Sequence, residues 1–233
     1  MKKLLLIAAA LIVWLIFGMI MAGSPVVAAA ETADATDQLA VEEIMDRLVQ
    51  RFGAADFSAD FSQESTLAAL DIRDTATGRV WIKHPGRMRW EYATPEIHAI
   101  ITDGKTLWIY RPEDRQVIIG DALAYFGDGK GASFLSNIRL IPEAFTVSVA
   151  PPAGEGLHTL RLVPHRKQLD LNEIYLNIDK ATFDIVGVLT INAYDDQTRL
   201  DFKNINFSND IDENLFHFQA PAGTDVLKLE EGE

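Results

Sequence analysis

The side chains that could do covalent or metal chemistry in this chain do not fall into the spacings that such chemistry needs. Gly127-Asp128-Gly129-Lys130-Gly131 looks like part of a phosphate loop, but that loop wants Gly at 124 and a hydroxyl at 131, where Ala124 and Gly131 stand. It reads as a hinge. Asp210, Asp212 and Asn214 begin like a calcium loop without its next glycine or its distal glutamate, and read as an acidic turn. His84, His98, His158, His165 and His217 show no metal-ligand spacing, and there is no cysteine to complete a zinc site. Ser62 and Ser133 sit in no Gly-x-Ser-x-Gly nucleophile elbow. A catalytic triad assembled in space is left open by sequence, but no residue nominates one. What the chain offers instead is apolar bulk, whose physical use is to hold greasy material away from water.

The elements that carry this bulk are β-hairpins. From Gly78 to Asp114, Met88, Trp90 and Tyr92 share one face of a strand while Arg87, Arg89 and Glu91 share the other, the period-two pattern of a half-buried strand. Pro85-Gly86 marks one turn, and Asp103-Gly104 suits a two-residue hairpin because glycine accepts positive φ. In the next strand Thr106, Trp108 and Tyr110 alternate with Leu107 and Ile109, so both faces need cover. This pattern fits a sandwich core and the wall of a ligand cavity equally well.

Upstream, Leu39, Ile44, Met45, Leu48, Val49 and Phe52 recur near helical spacing between Asp37, a candidate N-cap, and Gly53, a stop, so an amphipathic helix is expected to cover the sheet. Phe57 to Leu70 resumes a weak strand pattern. Between 121 and 141 the pattern breaks into two short apolar segments, one with Leu123, Tyr125 and Phe126, the other with Phe134, Leu135, Ile138 and Leu140, joined by the glycine-rich hinge. Its uniformly bulky residues favour a lid across a barrel mouth over a surface excursion. Four further strands follow, LHTLRLVP, LNEIYLNID, FDIVGVLTIN and TRLDFKNINF, with the parity of Leu200 and Phe202 opposed to that of Ile205 and Phe207. That switch predicts a bulge near Lys203-Asn204. Phe216 and Phe218 suggest a short final strand. The fold class is mainly β, one large domain without linker or repeat.

The first thirty residues read as a signal peptide: Lys2 and Lys3, an apolar run from Leu4 to Ala22, Gly23-Ser24-Pro25 as a break, and Ala28-Ala29-Ala30 before the cleavage point. The run could also span a bilayer as a retained anchor. Residues 31–233 then keep 19 basic against 34 acidic side chains, a net charge of −15. Such a surface repels nucleic acid and anionic headgroups. An exported chain of 233 residues with no cysteine relies on core packing rather than disulfides, and cannot carry the lipid anchor of a bacterial lipoprotein.

GRVWIKHPGRMRWEY, the Pro95 segment after it, ITDGKTLWIYRPEDRQV and FSADFSQ upstream resemble the outer-membrane lipoprotein carrier family, the LolA-like proteins. The resemblance implies an incomplete antiparallel β-barrel with a leading helix and a helical lid, holding lipoprotein acyl chains in a hydrophobic cavity. It implies a noncatalytic, cofactor-free monomer of the Gram-negative periplasm. Such a carrier is loaded by an inner-membrane ABC transporter and unloads at the outer membrane, in some bacteria through a receptor that is itself a lipoprotein. The cavity would be lined by Trp90, Tyr92, Trp108, Phe126, Phe134, Leu135 and Ile138. Met88 and Pro85 would form the rim that meets the transporter. Where the family commonly has an arginine that latches the lid through its backbone carbonyls, this chain has His84, with Lys83 or Arg87 beside it to share the role. A lipid or glycolipid carrier, a lipoprotein-sensing domain of the same fold, and a lidded acyl hydrolase are the alternatives. A long acyl chain left in water costs roughly 10 kcal/mol, so a soluble shuttle must enclose it. An empty apolar cavity is also unfavourable, which predicts a lid collapsed inward when no lipid is bound.

Overall fold

The computed structural model describes residues 40–126, 133–208 and 210–229. The leader, Asp37 and the Gly127 to Gly131 hinge lie outside them. Helix α1 (40–52) buries Val41, Ile44, Met45, Leu48 and Phe52, a stripe at helical spacing. It ends at Gly53, whose N–H donates to the Val49 carbonyl at 2.8 Å. A Cβ at Gly53 would collide with that carbonyl and stand 3.0 Å from Arg139 Nε.

The chain then builds β1 (Phe57–Leu67), β2 (Ile72–Lys83), β3 (Arg87–Thr94), β4 (His98–Thr102), β5 (Thr106–Arg111) and β6 (Gln116–Asp121). The lid follows as α2 (Ala122–Phe126), two 3-10 turns (Ser133–Ser136 and Ile138–Leu140) and α3 (Ile141–Ala144). The second run is β7 (Phe145–Ala150), β8 (Leu157–Pro164), β9 (Glu173–Asp179), β10 (Ile185–Ile191) and β11 (Gln197–Phe207). A 3-10 turn (Glu213–Phe216) and β12 (Asp225–Lys228) close the chain. All strands join one sheet in the order β12-β6-β5-β4-β3-β2-β1-β11-β10-β9-β8-β7, antiparallel except for the parallel β12–β6 pair. β12 and β7 are its two edges, so the barrel is unclosed.

Local irregularities curl the sheet. Ser58 pairs with Asn206 and Asp60 with Lys203, leaving one extra β11 residue where Asn204 takes φ 53°. This is the bulge implied by the parity switch. A second shift lies between Thr77 and Gly78 on β2. Gly78 is required there: a Cβ would meet the Glu91 carbonyl and stand 2.7 Å from the Phe61 ring, which packs over the glycine. The Asp103 turn differs from the expected two-residue form. Thr102–Leu107 is the last β4–β5 pair, and the Asp103 carboxylate accepts from the N–H groups of Lys105 and Thr106 at 2.9 and 2.7 Å, an Asx turn with Gly104 at φ 94°. Phe216 and Phe218 form no strand. Phe216 ends the 3-10 turn with no exposed surface, and the last strand is β12.

Cross-strand pairing separates two apolar layers. Met88, Trp90 and Tyr92 pair with Thr102, Ile100 and His98, and through them Leu107 and Ile109 share their face. That concave face meets α1 and the lid in the main core, with Phe61, Val80, Leu160, Ile174, Leu176 and Phe202. Ile101 and Val117 point the other way, fully buried outside that cluster together with Phe216. On that side the Phe218 ring lies tilted to Tyr110 at 4.9 Å, and Arg89 donates to the Leu215 carbonyl at 3.0 Å. The C-terminal segment therefore covers the convex side of β3 to β5.

Candidate functional site

The concave floor is aromatic. Trp90, 6% exposed, sits edge-on to Phe61 at 5.1 Å and tilted to Phe202 at 6.2 Å. Tyr92 lies 5.0 Å from Phe61, stacks on His98 at 4.1 Å, and donates its hydroxyl to Gln63 Oε1 at 3.0 Å. Burial, with a smaller contribution from the Tyr125 phenol, pushes the Tyr92 hydroxyl up to about 12, so it remains a neutral donor at any physiological pH.

Onto this floor the lid lowers Phe134, Leu135, Ile138 and Ile141, all buried in the main core, and Phe126 packs against it partly buried. Five of the expected lining residues, Trp90, Tyr92, Phe134, Leu135 and Ile138, thus belong to one apolar cluster or its margin, with Phe126 beside them. Trp108 does not join them. It pairs with Ile101, on the opposite face from Trp90, and lies 6.5 Å from Phe218. Both faces of β5 are apolar, so its pattern could not tell the cavity side from the convex side. Ile141, Phe61 and Phe202 were missed as site residues. The last two were visible as inward-parity aromatics, whereas Ile141 stands at the very end of the lid segment, just before Pro142, and shares no helical periodicity with its second apolar stretch.

Beside the lid, a cleft of about 650 Å³ opens between the β2–β3 and β4–β5 turns, the lid and the loop after β8. Met88, Phe126, Phe134, Ile141 and Phe145 make its apolar wall, and Ser136, Asn137, Glu143, His165, Arg166 and Gln168 its polar side. Met88 is 2% exposed and faces this cleft, so it is no surface rim position here; exposed Pro85 alone of the expected pair is presented at the mouth.

The expected latch is arranged differently. Neither ring nitrogen of His84 has a hydrogen-bond partner. Nδ1 lies 3.8 Å from Asp56 Oδ1, while the His84 backbone N–H donates to that same oxygen at 2.9 Å. Burial lowers the His84 imidazole pKa, Asp56 opposes this, and the charge of Arg139 on the lid adds to it. Lys83 turns away from the lid, donating to Asp56 Oδ2 and to the Ile211 carbonyl, both at 3.1 Å. Arg87 bonds Glu213 and the His84 carbonyl. Odd-numbered β2 and β3 residues face the convex side, so these two cations tie the hairpin to the C-terminal segment instead of the lid. Among the described residues no group of three His, Asp or Glu is placed to hold a metal, and no helix is long and apolar enough to cross a membrane.

These elements define an unclosed antiparallel barrel whose concave apolar face is plugged by its own helical lid. A solved structure from Thermus thermophilus, described as an uncharacterized conserved protein, shares this fold with TM-score 0.54 at 14% identity, over 82% of this chain and 99% of that one. The model of the family "Outer membrane lipoprotein carrier protein LolA" matches residues 53–219. An outer-membrane lipoprotein carrier protein of Coxiella burnetii is 32% identical over 198 residues, 84% of this chain and 88% of that protein. A carrier of the same description from Hahella chejuensis is 27% identical over 172 residues, 74% and 81% of the two chains. The chain belongs to the LolA family of outer-membrane lipoprotein carriers.

Proposed function

We propose that residues 31–233 form a single carrier domain, exported to the periplasm by a cleaved leader, that shields lipoprotein acyl chains between the concave sheet face and the lid. It receives them from an inner-membrane ABC transporter and delivers them to the outer membrane, directly or through a receptor of like fold. It works as a monomer, without catalysis or cofactor.

The observation that carries this reading is the lid itself. Phe134, Leu135, Ile138 and Ile141 are buried in the same apolar cluster as Trp90, Phe61 and Phe202, where an acyl chain would lie. Burying each such side chain is worth about 1.5–3 kcal/mol, so lifting all four costs about 6–12 kcal/mol. Enclosing one long acyl chain returns roughly 10 kcal/mol. The two nearly balance, and a carrier that must both load and unload needs that balance.

Incubating the mature protein with a detergent-solubilised triacylated lipoprotein and then removing the detergent tests it. The expected result is a soluble complex of protein and lipoprotein on gel filtration. Recovery of no acylated ligand under conditions that load a known carrier would overturn the proposal.

A further inference from the structure

The two edges of the open sheet are not alike. β12 carries Asp225 and Lys228, charges of the kind that keep an edge strand from pairing with another chain. β7, from Phe145 to Ala150, has no charge, no proline and no bulge, and Thr146, Ser148 and Val149 are exposed along it. Its register on β8 fixes which backbone groups are used. The His165 N–H donates to the Ala144 carbonyl at 2.9 Å, so Ala144 and His165 form a hydrogen-bonded pair, and such pairs alternate along the ladder. Thr146, Ser148 and Ala150 therefore bond to β8. Phe145 falls opposite Pro164, which has no N–H to give, and with Val147 and Val149 it turns its backbone outward. The Phe145 N–H is taken by the Ile141 carbonyl of α3. This leaves the Phe145 carbonyl and both backbone groups of Val147 and Val149 without a partner among the described residues. Phe145 also lines the cleft beside the lid, with Ile141 and Ala144, so the free edge begins where the cleft opens.

We propose that the outer edge of β7 takes up, as an added strand, the polypeptide segment next to the acylated residue of the cargo. This rests on the carrier reading and adds how the protein part of the cargo is held. With the acyl chain in the cleft, the polypeptide leaves past Phe145 and lies along Val147 and Val149, exchanging main-chain hydrogen bonds with them. Such bonding asks for no particular side chains, so one carrier can hold cargoes of unrelated sequence. A second copy of this chain is the poorer occupant, because 34 acidic against 19 basic side chains in residues 31–233 oppose self-association.

Two probes test this, N-palmitoylglycine amide and N-palmitoyl-Gly-Ser-Thr-Ser-Thr-Ser amide, titrated against the mature protein by displacement of a fluorescent fatty acid, with the oligomeric state followed by gel filtration. The wild type is expected to bind the peptide about tenfold more tightly than the glycine amide. N-methylation of alternate peptide amides should abolish this gain in one phase and spare it in the other, because only every second N–H faces β7. Val149→Pro removes one outward N–H without touching the β8 ladder. It should lose the gain while binding the glycine amide as the wild type does. No gain in the wild type, an equal response to both methylated phases, or a gain that survives Val149→Pro in a folded variant would overturn the added strand and leave the carrier reading standing. So would a dimer that Val149→Pro dissociates, since it gives the edge to a second copy. If Val149→Pro does not fold, the methylated pair decides alone. Failure of the wild type to bind either probe would overturn the carrier reading along with the added strand.

Discussion

If the lid is a plug that competes with cargo, truncating it should improve binding while it weakens the closed protein. Ile138 is the residue to test, because it has no exposed surface and packs in the main core cluster. Replacing a buried isoleucine by alanine costs about 2–5 kcal/mol. When the closed state dominates, apparent affinity is the intrinsic affinity scaled by the open fraction. A loss of about 2 kcal/mol felt only in the closed state therefore tightens binding by about 30-fold, until the open state itself predominates. Ile101→Ala on β4 supplies the control, since Ile101 is equally buried but lies on the convex face, away from the lid. Titration with a fluorescent fatty acid and urea unfolding should show Ile138→Ala binding more tightly, with Ile101→Ala destabilised but unchanged in affinity. Unchanged or weaker binding by Ile138→Ala would refute the plug.

Other outcomes follow from the same geometry. Trp90→Ala removes the ring between Phe61 and Phe202 and should cost about 3–5 kcal/mol in urea unfolding; a loss under about 1 kcal/mol would show that the floor is not packed as described. Asp56→Asn strips the Lys83 ammonium, 11% exposed, of its closest carboxylate. It should cost about 3 kcal/mol, or roughly 6–12 °C in Tm, with most of this recovered in Asp56→Leu/Lys83→Met; an equally unstable double variant argues against a paired charge. The His84 imidazole is held below its ordinary value mainly by burial, so the unfolded chain binds that proton more readily. Stability from this residue is full above the unfolded pKa, is lost as pH falls from about 6.5 toward the lower folded pKa, and levels off beneath it. His158, also lowered by burial, acts in the same direction. Thermal melts at about pH 7.5 and about pH 5.5 should show His84→Asn losing less Tm than the wild type; equal losses would place the effect elsewhere.

Much of the architecture was legible because its signals are local. Alternation in Met88-Arg89-Trp90-Glu91-Tyr92 assigned the faces of β3, helical spacing from Leu39 to Phe52 assigned α1, and the parity switch before Ile205 located the Asn204 bulge. Turn chemistry located the Asp103 loop but not its length, because the Asp103 carboxylate captures two N–H groups and lengthens the connection.

The sequence by itself determined that this is a β protein with apolar strands, a helical cover and an interrupted, bulky lid, since each rests on periodicities of two or 3.6 along neighbouring residues. Only the tertiary structure decided which side of those strands is the cavity. Trp108 went to the convex face because β5 is apolar on both sides, and period two sorts residues into two classes without saying which class faces α1. The partners of Lys83 and Arg87 were likewise out of reach, because Ile211 and Glu213 lie more than a hundred residues away along the chain. The lid's place in the interior comes from burial of its own side chains, and that burial exists only once the sheet has curled around them.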